Sequence, residues 1–135
     1  MSPFGKLPKI LLIEPDGLVR GTVASVCREL QLARVRQEIS VAAGEQWLKS
    51  GSPQALLLSL AEGETALEFL QRLRAGSLPC AADLPVVAMA REGNADLVLK
   101  LKELDVRRLL LQPFRLRDVI HTLEQLWPAP EPLAA

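Results

Sequence analysis

Cysteine and histidine are scarce in this chain. Its 135 residues include two cysteines, Cys27 and Cys80, and one histidine, His121. The cysteines show no CxxC spacing: one falls in an apolar helical pattern and the other beside Pro79 in a loop. A zinc cluster or a disulfide framework needs more such side chains at closer spacing, so neither is expected, and both thiols are read as reduced. An excess of one charge is also missing. The 16 lysines and arginines balance 16 aspartates and glutamates, which argues against a domain built to grip nucleic acid or an anionic membrane. Long hydrophobic runs are absent as well. The longest, Ala55 to Leu60, is interrupted by Ser59 and is far too short to span a bilayer. Met1 to Ile10 carries Lys6 and Lys9 but no apolar core of signal-peptide length. These absences predict a soluble, cytoplasmic protein. No glycine-rich phosphate loop, catalytic triad or metal motif can be read, so no catalytic residue, cofactor or metal ligand is expected and the chain is not read as an enzyme.

What is present is core-forming material. Hydrophobic residues make up 49% of the chain, ample for one domain. Lys9-Ile-Leu-Leu-Ile13 is a short continuous apolar run, the pattern of a strand covered on both faces. Asp16 is placed to cap a helix carrying Leu18, Val19, Thr22, Val23, Val26, Cys27 and Leu30 at helical spacing. Ala33 to Glu38 alternates like a strand near a sheet edge, and a short helix follows over Ala42 to Lys49 with Trp47 and Leu48 inward. Ala55 to Leu58 is the most apolar strand and belongs at the sheet's centre. Gly63 to Ala75 reads as a helix burying Ala66, Leu67, Phe69, Leu70 and Leu73. Pro85 to Met89 is a fourth strand, and Asn94 caps a helix to about Leu104. Arg108 to Leu111 is a fifth strand. After Pro113 a last helix runs over about Arg115 to Trp127, with Val119, Ile120, Leu123 and Leu126 inward.

Strand and helix thus alternate five times, which predicts an α/β fold with a parallel sheet and helices on both faces. Residues 1–8 read as an N-terminal extension, 9–127 as the domain, and 128–135 as a Pro/Ala-rich tail or the stub of a linker. In open sheets of this kind the functional crevice lies at the carboxyl ends of the strands. The residues there are Glu14, Pro15 and Asp16, then Ser59, Ala90, and Gln112 with Pro113.

Five segments, in order and at matching spacing, resemble the receiver domain of bacterial response regulators, the CheY-like superfamily. They are Lys9 to Arg20, Ala55 to Leu60, Leu67 to Arg74, Leu84 to Ala90 and Leu109 to Phe114. The resemblance implies a flavodoxin-like five-stranded parallel sheet of order 2-1-3-4-5. Such domains take a phosphoryl group on an aspartate after the third strand. Two acidic residues after the first strand hold Mg²⁺, a hydroxyl follows the fourth strand, and a lysine after the fifth pairs with the phosphoryl oxygens. The matching positions here hold Ser59, then Glu14 and Pro15, then Ala90 and Gln112, with Asp16 just beyond the acidic pair. Leu109 stands at the family's switch-aromatic position, and the loop after Ser59 is one residue shorter and lacks its proline.

The resemblance therefore implies a degenerate pseudo-receiver of a two-component or phosphorelay system, without the phosphoacceptor aspartate. It would act as a phosphorylation-independent interaction module toward a histidine kinase, another regulator or another receiver. Alternatives are a response regulator accepting phosphate at an unusual residue, a serine-modified Ser59, or a small-ligand sensor or enzyme using the vacated crevice. Arg107, Arg108, Arg115 and Arg117 form either a solvated basic rim or a partner surface. A homodimer through the last helix could draw on Leu109, Leu116, Leu126 and Trp127.

Overall fold

Runs of four or five apolar residues in extended conformation send alternate side chains to opposite faces, so a run that is apolar throughout must be covered twice. The structure, a computed structural model, describes residues 7–126 and shows this arrangement. The order is β1 (Lys9–Ile13), α1 (Gly17–Glu29), β2 (Arg34–Glu38), α2 (Val41–Leu48), β3 (Ala55–Ser59), α3 (Glu64–Arg74), β4 (Val86–Ala90), α4 (Ala95–Glu103), β5 (Arg108–Leu111) and α5 (Leu116–Glu124). All four strand pairings are parallel, in the order β2-β1-β3-β4-β5. The predicted α/β class and strand order both hold.

The pleat divides the core in two. Leu11, Ile13, Leu56, Leu58, Val86 and Ala88 point to one side and pack with α2, α3 and Leu101 of α4. Ile10, Leu12, Ala55, Leu57, Val87 and Met89 point to the other and pack with Val23 and Cys27 of α1 and Val119 and Leu123 of α5. Central β3 is buried at every residue, while edge strand β2 reads as exposed and half-buried positions. All five apolar positions predicted for α3 are buried. At α1 the pattern overshoots: Leu18 is 80% exposed, and Leu30, the residue that caps the helix's end, is 53% exposed. A helix of 13 residues turns only one stripe to the sheet, and these two lie off it.

Side-chain caps set the helix starts. Asp16 accepts from the backbone N–H groups of Leu18 and Val19 at 2.9 and 3.3 Å, and Asn94 accepts from Leu97 N–H at 2.8 Å, as their sequence positions predict. Ser40 does the same for α2, accepting from Ala43 N–H at 3.0 Å, so that helix begins a residue before the predicted Ala42. The last helix ends at Glu124, and Trp127 and residues 128–135 lie outside the described residues, as do residues 1–6.

Gly44 allows α2 to lie close on β1. A Cβ there would fall on Cγ1 and Cδ1 of Ile13, which is fully buried. Gly44→Ala gains about 1 kcal/mol of helix propensity. Overpacking a filled core costs about 1–3 kcal/mol. Net destabilisation is expected, read as a lower urea midpoint at unchanged slope. Trp47, predicted inward, is half-buried at the rim, with Lys9 and Arg36 cations each 5.9 Å from its ring centre and Gly51 beneath the ring.

A surface pair ties α2 to α3. Arg72 donates to both carboxylate oxygens of Glu45, at 2.8 and 2.6 Å. Its hydrogen bond holds the Glu45 carboxyl below the usual carboxylate range. A depressed folded-state value adds stability above the unfolded value, and that stability is lost as pH falls through the folded one. Glu45→Gln should therefore lower stability at pH 7, by less than about 1 kcal/mol because the pair is exposed. At a pH below the folded-state value of Glu45, urea unfolding should no longer separate variant from parent.

Candidate functional site

Each parallel strand delivers its last residue to the same edge of the sheet, so residues far apart in sequence meet there. Glu14, Pro15, Asp16, Ser59, Ala90 and Gln112 all line one open crevice of about 770 Å³. Leu60, Ala61, Leu67, Arg91, Glu92 and Leu97 complete most of its wall. All six positions singled out from the sequence are brought together. Arg91 and Glu92 were not singled out, although they follow β4 just as Pro15 and Asp16 follow β1, and the same strand-end rule would have found them.

Glu14 is 2% exposed and is already engaged. Its Oε2 accepts from the Asp16 backbone N–H at 3.1 Å, and its Oε1 accepts from the Gln112 side-chain amide at 3.4 Å. The Glu14 backbone carbonyl accepts from the Arg20 guanidinium at 2.8 Å. Asp16 is spent on capping α1 and stands 4.0 Å from the 81%-exposed Arg91 guanidinium. At that distance and exposure the pair contributes little. Ser59 is 4% exposed, and its hydroxyl oxygen accepts from Ala61 N–H at 3.2 Å. Ala90 lines the crevice with no polar atom beyond its backbone. Glu62, in the loop after β3, is taken up elsewhere and accepts from Val41 N–H at 2.7 Å at the start of α2.

A hard divalent cation needs about six oxygen ligands. Among the described residues no group of three or more His, Cys, Asp and Glu side chains is placed to hold a metal. Proline offers no side-chain ligand, and Glu14 and Asp16 are committed to hydrogen bonds within the protein. These side chains do not fit a Mg²⁺ site.

Other predicted positions lie away from the crevice. Leu109 is half-buried in β5 and packs on the α2/α3/α4 side of the core. The four arginines do not form one patch. Arg107 and Arg108 sit at the start of β5, where they donate to Leu126 O at 3.3 Å and Thr122 Oγ1 at 2.8 Å. They share a shallow cleft with the exposed His121. Arg115 and Arg117 lie at the opposite end, at the start of α5, both exposed. Cys27 is buried in the α1/α5 side of the core, where burial pushes its thiol up to about 11 and keeps it protonated.

The ordered elements define the fold of response-regulator receiver domains. Among solved structures, the chain is similar to a response regulator from Thermotoga maritima, 18% identical with a TM-score of 0.77, covering 89% of this chain and 97% of that one. It is similar to the non-phosphorylated HemR receiver domain from Leptospira biflexa at 20% identity and a TM-score of 0.79, covering 94% and 99%. The chemotaxis protein CheY4 of Vibrio cholerae is 14% identical with a TM-score of 0.79, covering 90% and 99%. No protein-family model matches the sequence, and no curated protein matches it.

Proposed function

We propose that this chain is a receiver-like signalling domain of a bacterial two-component or phosphorelay system that does not accept phosphate and works by binding proteins. One observation carries the reading. In the crevice, the third-strand end presents the Ser59 hydroxyl where receivers present a carboxylate, and Glu14 is held by Gln112 and by a backbone N–H. A serine hydroxyl cannot form an acyl phosphate, and glutamine in place of lysine gives an incoming phosphoryl group no cation at that position. In this reading Ala90 stands for the switch hydroxyl and Leu109 for the switch aromatic, so neither relays phosphorylation. The protein is then not an enzyme, needs no cofactor, and resides in the cytoplasm.

Partners in this reading are a histidine kinase, another regulator or another receiver, met whatever the phosphorylation state of the system. Arg115 and Arg117, exposed beside the crevice end, are better placed for such contacts than Arg107 and Arg108, whose guanidinium groups are bonded to α5 and the residues just after it. Incubation with acetyl phosphate and Mg²⁺ followed by intact-mass measurement tests the reading. An unchanged mass is expected, and a stable gain of one phosphoryl group would overturn it.

A further inference from the structure

Beside the crevice lies a second concavity, and its chemistry differs. It holds about 490 Å³, between α1 and the segment joining β5 to α5. Leu18, Val19 and Val23 form one wall, and Pro113, Phe114 and Leu116 form the other. Leu18 is 80% and Leu116 44% exposed, so two large apolar side chains lining the concavity stay open to solvent. A single exposed leucine is ordinary, whereas here two of them line one concavity whose wall is mostly apolar. The volume falls within the range of about 300–1,000 Å³ typical of small-molecule sites.

The polar groups at the mouth select the ligand. Arg91 and Gln112 line this groove as well as the crevice. Among the described residues the acid paired with Arg91 is Asp16 at 4.0 Å, and Arg91 is 81% exposed, so its guanidinium can turn to another anion at little cost. No carboxylate lines the groove itself. A cationic head would meet Arg91 in a lining that carries no carboxylate, with Asp16 outside the groove. An anionic head on an apolar body satisfies both parts of the site.

We propose that the groove between α1 and the start of α5 binds a small apolar acid, its tail between Leu18 and Leu116 and its carboxylate on Arg91. The site does not depend on whether the crevice takes phosphate. The test is a titration of the uniformly ¹⁵N-labelled full chain with decanoate below its micelle concentration, with decyltrimethylammonium as the same tail bearing the opposite charge. Decanoate should saturate, shifting the amides of Leu18, Val19, Thr22, Phe114 and Leu116. The ammonium should bind about fivefold more weakly, the upper end for an exposed ion pair. Arg91→Glu should reverse that preference. Thr22→Trp, a substitution at an exposed lining position, should block both ligands with the spectrum otherwise intact. Three results would overturn the proposal: shifts outside the groove, equal binding of the two head groups, or no binding, which a dimer in light scattering that Leu18→Glu dissolves would assign to self-association through this face.

Discussion

Arg74→Ala should destabilise the protein by about 3 kcal/mol, the largest loss expected from any single side chain outside the apolar core. Arg74 lies in the last turn of α3 and its guanidinium reaches four backbone carbonyls: Leu104 at 2.7 Å, Ala82 and Leu84 at 2.8 Å, and Asp105 at 3.1 Å. Leu104 caps α4, Asp105 follows it at a φ of 54°, and Ala82 and Leu84 lead into β4. The bonds to Ala82 and Asp105 are exposed, so water replaces them. Those to Leu104 and Leu84 are partly buried, and each charged-donor bond there is worth about 1.5 kcal/mol or more. A loss of that size lowers the melting temperature by about 10 °C in a domain of this length. The local readout is sharper. Leu101 is the only buried residue of α4, with Leu97 and Leu104 partly buried beside it, so the bonds from Arg74 add to a light apolar seat. Amide exchange in α4 should accelerate more in Arg74→Ala than in β1 or β3. Arg74→Lys, with a single nitrogen in place of a planar fork, should recover only part of the loss. A variant within about 0.5 kcal/mol of the parent would show that these bonds are replaced by water at no cost.

The second large effect is a gain. If Pro15, Ser59 and Gln112 are what bar phosphorylation, the triple variant Pro15→Asp, Ser59→Asp, Gln112→Lys should take up a phosphoryl group from acetyl phosphate in Mg²⁺. The carboxylate introduced at position 59 would attack phosphorus and become the acyl phosphate, with acetate leaving. The starting level is expected to be nil, so any stoichiometric mass gain is unambiguous. Before any transfer, the variant should respond to the metal alone. Added carboxylates around one crevice repel those already there, which lowers stability until a divalent ion is bound. Adding Mg²⁺ at about 100 times its dissociation constant restores about 2.7 kcal/mol. The parent should show no such rise in melting temperature. A folded variant indifferent to Mg²⁺ would mean that backbone geometry, and not these three side chains, bars the chemistry. A metal-dependent rise in the parent would count against the proposed function itself.

The element boundaries and the site differ in how far they could be read beforehand. The continuous apolar runs at β1, β3 and β4 are short and bounded by turn residues, which suits strands covered on both sides, so the sheet and its buried centre were legible. So were the Asp16 and Asn94 caps, because a cap is a contact between near neighbours in sequence. The five buried positions of α3 followed from spacing alone. Leu18 and Leu30 did not: periodicity marks apolar residues but not which stripe of a helix meets the sheet. The assembly of Glu14, Ser59, Ala90 and Gln112 into one crevice was anticipated from the rule that parallel strands end at a common edge.

The amino-acid order alone determined that this chain forms a doubly covered parallel sheet, and which residue types stand at its strand tips. Those are consequences of local pattern, which side-chain periodicity and hydrophobic burial translate directly into structure. Only tertiary structure decided that Gln112 reaches Glu14 across 98 residues of chain. It also separated Arg107 and Arg108 from Arg115 and Arg117, and brought Leu18 and Leu116 into one open groove. Such contacts depend on how helices rotate and lean against the sheet. That is settled by packing across the whole domain, and no segment carries it by itself.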